Sequence, residues 1–158
     1  RDVIHTHLVR PNDRRIPFDV FAHRVLPLDI DHDRMQFVVP IPKWQGRLVA
    51  FLPEVPRRIQ CQLPRKTKPG QRTAVRIRVL GQHGEVDTLF PLHVTVTDPQ
   101  GQTSRDYSQR LLAQGGMGTF TLQFANNDVR GRWTIVVRDA LTQLEEQTTI
   151  ELRDNAGP

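Results

Sequence analysis

From residue 57 onward, apolar and polar residues alternate with a period of two, in short runs separated by turn residues about every ten positions. A β-strand points successive side chains to opposite faces, so this alternation describes half-buried strands and leaves little room for helices. The first run is Arg58-Ile59-Gln60-Cys61-Gln62-Leu63, and Pro69-Gly70 turns the chain after it. Thr73 to Leu80 is the cleanest, with Val75, Ile77 and Val79 on one face and Ala74, Arg76 and Arg78 on the other. Leu92 to Thr97 follows and ends at Asp98-Pro99-Gln100-Gly101, where proline fixes φ and glycine accepts a positive φ. Arg105 to Leu112 is more polar and reads as an edge strand, where charge discourages sheet-to-sheet pairing. Phe120 to Phe124, Arg132 to Arg138 and Glu145 to Arg153 complete the set. No stretch carries a 3.6-residue apolar period across three turns, which argues against alternating β and α units.

Seven such strands predict an all-β fold, an immunoglobulin-like antiparallel β-sandwich, over residues 57–158. A sandwich of this kind needs roughly 100 of the 158 residues. Residues 1–56 are therefore expected to be an additional N-terminal β segment, with strands at Val3 to Val9, Phe18 to Leu26, Arg34 to Val39 and Gly46 to Leu52. Two weak matches suggest that this segment is a partial repeat of the later strands and packs on the next domain. His5 to Asp13 aligns with His93 to Gly101, and Gly46 to Phe51 aligns with Gly131 to Val136. The chain starts at Arg1 and enters a strand-like run at once, so it is expected to be part of a longer protein.

Three elements share an order and spacing with a known module type. They are the run Pro91 to Gly101, the glycine-led strand Gly118-Thr119-Phe120-Thr121-Leu122, and Asn127-Asp128-Val129-Arg130-Gly131-Arg132-Trp133. In this the chain resembles bacterial macroglobulin-type, Ig-like β-sandwich modules of large secreted proteins, including β-galactosidase-like glycoside hydrolases. The resemblance implies a spacer or assembly role with the chemistry elsewhere in the parent protein. It also implies a secreted, periplasmic or cell-surface location and neighbouring domains as partners. No thioester-type Cys-x-x-Gln occurs.

Chemistry-bearing groups are sparse. The net charge of +5 comes from 22 basic against 17 acidic residues, but the arginines are scattered and few aromatics accompany them. That pattern describes solvated strand faces rather than a nucleic-acid surface, and no apolar run is long enough to insert in a membrane. Cys61 is the single cysteine and alternates with Ile59 and Leu63, as a small core residue does. Ser104, Tyr107 and Ser108 are nucleophiles by type alone, without an elbow, phosphate loop or zinc-protease helix around them. The chain is therefore expected not to be an enzyme, and no cofactor is expected.

The single metal candidate is Ca2+ at Asp29, Asp31 and Asp33, read as a loop whose alternate carboxylates supply hard oxygens. An EF-hand is excluded because Arg34 and Pro40 stand at its sixth and twelfth positions, and a solvated acidic loop is the simpler reading. His5 and His7 lie two apart on one strand face but lack a third zinc ligand at useful spacing. For polysaccharide, Trp44 and Tyr107 are the candidate platforms. Trp44 is expected first as an anchor burying its ring against the core or a neighbour. The resulting expectation is a non-catalytic structural, spacer or protein-interaction module, with a carbohydrate-binding accessory module of a glycoside hydrolase as the alternative.

Overall fold

The computed structural model describes residues 3–9, 15–31 and 34–154, and for 3–9, 31 and 34 it describes the backbone only. All described regular structure is β. Contacts divide the chain into two units, 1–56 and 57–158. The first holds β1 (Val3–Val9), β2 (Ile16–Asp19), β3 (Arg24–Val25), β4 (Leu28–Asp31), β5 (Arg34–Ile41) and β6 (Val49–Leu52). The second holds β7 (Arg58–Gln62), β8 (Lys66–Thr67), β9 (Thr73–Leu80), β10 (Phe90–Thr97), β11 (Thr103–Ala113), β12 (Met117–Leu122), β13 (Gly131–Asp139) and β14 (Glu145–Leu152).

In the second unit a five-stranded sheet, β11-β10-β13-β14-β8, faces a three-stranded sheet, β12-β9-β7. The alternation fixes the faces. Val75, Ile77 and Val79 of β9 meet Leu92, Val94 and Val96 of β10 and Ile135 and Val137 of β13 in one buried core. Polar β11 is an edge strand, as its composition predicts. One pairing departs from the antiparallel expectation. After β7 the chain leaves its sheet at Pro64 and runs parallel to β14 as β8, pairing Lys66 with Glu151 and Thr67 with Leu152. Glu151 and Arg153 donate their amides to the carbonyls of Arg65 and Thr67, so the edge of β14 is covered.

The first unit consists of two three-stranded sheets, β1-β5-β4 and β3-β2-β6. Leu26, Phe37 and Val39 form its core, with Val49 and Phe51 against them, and Phe37 meets Phe51 edge to face at 5.6 Å. Two sequence expectations are corrected here. Phe18 to Leu26 is a hairpin of β2 and β3 rather than one strand, because Asp19 accepts the amides of Phe21 and Ala22 on Oδ1 and turns the chain. The acidic stretch is not a loop, because Asp29 and Asp31 lie on β4, which pairs with β5. Asp33 lies outside the described residues.

The strands aligned in the suggested repeat sit differently in their sheets. β10 and β13 are neighbours in one sheet, whereas their supposed counterparts β1 and β6 belong to different sheets. A different correspondence exists. Asp19 at the end of β2 and Asp139 at the end of β13 are both fully buried and both cap a four-residue turn. The turns place His23 and Gln143 at positive φ, 50° and 64°. The amides of Val20 and Ala140 go to equivalent neighbours, the carbonyls of Leu48 on the approach to β6 and Pro91 of β10. The two caps differ at one position. Thr142 gives both its amide and its hydroxyl to Asp139 Oδ2, while Ala22 stands in its place and leaves Asp19 Oδ2 without a hydrogen-bond partner. Ala22→Thr is therefore expected to stabilise the first unit by about 0.5–1.5 kcal/mol, the net worth of one hydrogen bond. An unchanged or lower urea midpoint in the variant would refute this account of the turn.

Candidate functional site

The motif residues converge at one corner of the second unit. Asp128 Oδ2 accepts the Tyr107 hydroxyl at 2.5 Å and the Ala125 amide at 2.7 Å. Arg130 threads the same loop, donating to the carbonyls of Asn126 and Asp128 and to the carboxylate of Asp154. The loop carbonyl of Val129 accepts Trp133 Nε1–H at 3.0 Å. Beneath it the rings of Tyr107, Phe124 and Trp133 pack at centroid distances of 4.8–5.7 Å. Gly131, at φ 130°, lets the Asp98–Gly101 turn approach: a Cβ there would lie 3.1 Å from Pro99 Cγ. Burial, followed by the bond to Asp128, raises the Tyr107 pKa, so the phenol stays a donor. These groups hold a turn and an aromatic wedge in place, and Tyr107 is committed to that task.

Trp44 is elsewhere, in the first unit, on the loop between β5 and β6. It is not buried in the core of its unit: the residue is 100% exposed. Its φ of 64° places it in the left-handed region that few non-glycine residues occupy. Thus Trp44 and Tyr107 belong to different units. Asp29 is exposed on β4, and the side chains of Asp31, Asp33, His5 and His7 lie outside the description. Among the described residues, no group of three or more His, Cys, Asp or Glu is placed to hold a metal ion.

The remaining candidates serve structure. Ser108 accepts the Val96 amide and donates to the Ser104 carbonyl, filling the bulge between β10 and β11. Cys61 packs beside the core, and burial, with Glu146 adding, pushes its thiol up to about 12, far from thiolate reactivity. Two of the surface hollows, among the described residues, enclose about 390 and 280 Å³. In the first, the Thr73 hydroxyl is engaged with Thr67 at 2.6 Å. In the second, Arg138 is engaged with Glu145. Sequence reasoning missed the buried caps Asp19 and Asp139; an aspartate closing an apolar run, with a gap of four or five residues before the next strand, was the available signal.

No protein-family model and no curated protein matches the chain. Among solved structures it is similar to the native conformation of E. coli alpha-2-macroglobulin, at 12% identity over 98% of this chain and 17% of that one, with a TM-score of 0.46. It is also similar to superoxide reductase (neelaredoxin) from Ignicoccus hospitalis, at 17% identity over 62% of this chain and 82% of that one, with a TM-score of 0.44. A β-glucosidase from Listeria innocua matches at 16% identity over 60% of this chain and 16% of that one, with a TM-score of 0.40. The chain thus spans less than a fifth of the macroglobulin and the β-glucosidase. The sandwich assignment rests on the strand pairing described above.

Proposed function

We propose that the chain is a non-catalytic structural and protein-interaction module of a larger secreted or cell-surface bacterial protein. One observation carries this reading: the side chains of Asp98, Tyr107, Ser108, Asp128 and Asp139 are committed to turns, a bulge and caps within the fold. A site needs convergent groups left over from building the scaffold, and function is argued from such a site rather than from a fold.

The alternative, a carbohydrate-binding accessory module of a glycoside hydrolase, is favoured by Trp44, whose ring is available to pack on a sugar face. Trp44→Ala is expected to change stability by less than about 0.5 kcal/mol, as surface substitutions do. Titration of plant, algal and bacterial polysaccharides, followed by tryptophan fluorescence and heat, separates the readings. The module reading expects no saturable signal. A saturable signal that Trp44→Ala abolishes with the fold intact would replace it with the carbohydrate reading.

A further inference from the structure

In the second unit, β7 stops short of its neighbour. Its last residue, Gln62, stands opposite Arg76, and the chain then crosses to β14, so β9 has no strand on that side from Val75 back to Thr73. Backbone N–H and C=O groups alternate sides along a strand. The Val79 amide goes to Gly116 on the β12 side, and the Leu80 carbonyl accepts Arg57 on the β7 side. The backbone groups of even-numbered β9 residues therefore face β7, and Ala74 turns its N–H and C=O into the unpaired stretch. Side chains alternate as well: Thr73 and Val75 are buried, while Arg72, Ala74 and Arg76 are exposed. The hollow of about 390 Å³ lies here, lined by Arg72 and Arg76 together with Gln62, Pro64 and Gln71 around the small Ala74, and no acidic residue lines it. Arg78, next on the same face, is ion-paired with Glu85. Among the described residues, Arg72 and Arg76 have no such partner. Although arginines occur throughout the chain, residues 55–84 contain eight arginines and lysines and no aspartate or glutamate. Such a charge distribution attracts acidic partners.

The geometry points to this hollow as the seat of an acidic residue on an extended segment of another protein, its backbone paired with Ala74 and its carboxylate between Arg72 and Arg76. This deepens the interaction-module reading and rests on it. A residue paired with Ala74 across an antiparallel ladder puts its side chain on the face that Ala74 occupies. That face carries a guanidinium two residues away on either side. A planar guanidinium takes a carboxylate through two parallel N–H···O bonds, which an amide or hydroxyl cannot match. Main-chain pairing supplies affinity and the arginines supply specificity, the division of labour of strand addition. The same geometry sets other anions aside. Acidic polysaccharides and nucleic-acid backbones lack the peptide group that Ala74 is placed to pair with, and no aromatic ring lines the hollow for a sugar or base to stack on.

The test follows the amide NMR spectrum of the nitrogen-15-labelled 158-residue chain during titration with a short peptide alternating threonine and glutamate. Saturable shifts should centre on the amides of residues 72–76, and the Ala74 amide should exchange more slowly in the complex. Four changes should each weaken binding by about threefold or more, the scale of one partly solvated ion pair or hydrogen bond. They are glutamine in place of the glutamates, N-methylation of the glutamates, Arg72→Gln and Arg76→Gln. Both arginines are exposed, so the two variants are expected to melt as the parent does. Absence of saturable shifts, shifts centred elsewhere, or undiminished binding in any of the four cases overturns the proposal. So does equal or tighter binding of tri-galacturonate or a short DNA duplex at the same amides, which would make the hollow a general anion site. A concentration-dependent dimer with these amides in its interface also overturns it, by assigning the hollow to a second copy. Failure of the module reading is seen separately, in the polysaccharide titration through Trp44.

Discussion

Trp133→Ala should destabilise the second unit by about 3–5 kcal/mol, the usual cost of deleting a large buried aromatic. Trp133 is 4% exposed and lies between Tyr107 and Phe124, with its Nε1–H spent on Val129. The truncation removes three contributions together: apolar burial, two aromatic contacts and the hydrogen bond that ties the 125–130 loop to β13. Trp133→Phe keeps most of the first two and should lose only about 1–2 kcal/mol, a modest loss of packing with one hydrogen bond. Urea unfolding followed by far-ultraviolet circular dichroism measures both, since the remaining tryptophan, Trp44, is fully exposed and reports little on this core. A loss below about 1 kcal/mol in the alanine variant, the range of peripheral changes, would show that the wedge does not hold this corner.

The contrast between the two tryptophans shows what could be read from sequence. Trp133 stands in phase with Ile135 and Val137, so alternation alone placed it in the core. Trp44 lies in a loop with no period to place it, and neither its exposure nor its left-handed φ is announced by a pattern in the sequence. The strands of the second unit were legible because each buries one face against a second sheet, which forces alternation. The first unit was read less well for the same reason. Apart from β1 and β5, its strands have only two to four residues, and β4 was obscured by aspartates, which are poor strand formers, although Leu28 and Ile30 alternate with them. The turn after Asp19 was hidden because a carboxylate, rather than glycine or proline, builds it. At the candidate site, Tyr107 and Asp128 could be named but not paired, because their 21-residue separation is closed only by the crossing of β11 and the 125–130 loop.

Gly116→Ala should cost far more than Gly115→Ala, although the two glycines are adjacent and serve the same turn. Gln114 and Met117 exchange both backbone hydrogen bonds across them, and both have positive φ, 57° and 73°. This is the geometry of a two-residue type I′ turn, in which glycine avoids the left-handed penalty at both central positions. That penalty, about 1–2 kcal/mol per residue, is common to the two substitutions. Space separates them. A Cβ on Gly115 would meet only a side-chain oxygen of Asp87, at 3.5 Å, an ordinary contact. A Cβ on Gly116 would lie 2.8 Å from the Val86 carbonyl oxygen, 3.0 Å from that of Val79 and 3.0 Å from the Val86 amide nitrogen. All three are backbone atoms, and no rotamer change can move them aside. Relief requires shifting the end of β9 or the Val86 segment, which also strains the bond from the Val79 amide to the Gly116 carbonyl. Overpacking of this kind adds about 1–3 kcal/mol. Gly116→Ala is therefore expected to lose about 2–5 kcal/mol, and Gly115→Ala about 1–2 kcal/mol, on the same two terms. Parallel urea titrations of the two variants check the difference. A gap smaller than about 0.5 kcal/mol, the scatter of ordinary surface changes, would mean that β9 and the Val86 segment yield to the added methyl at no cost.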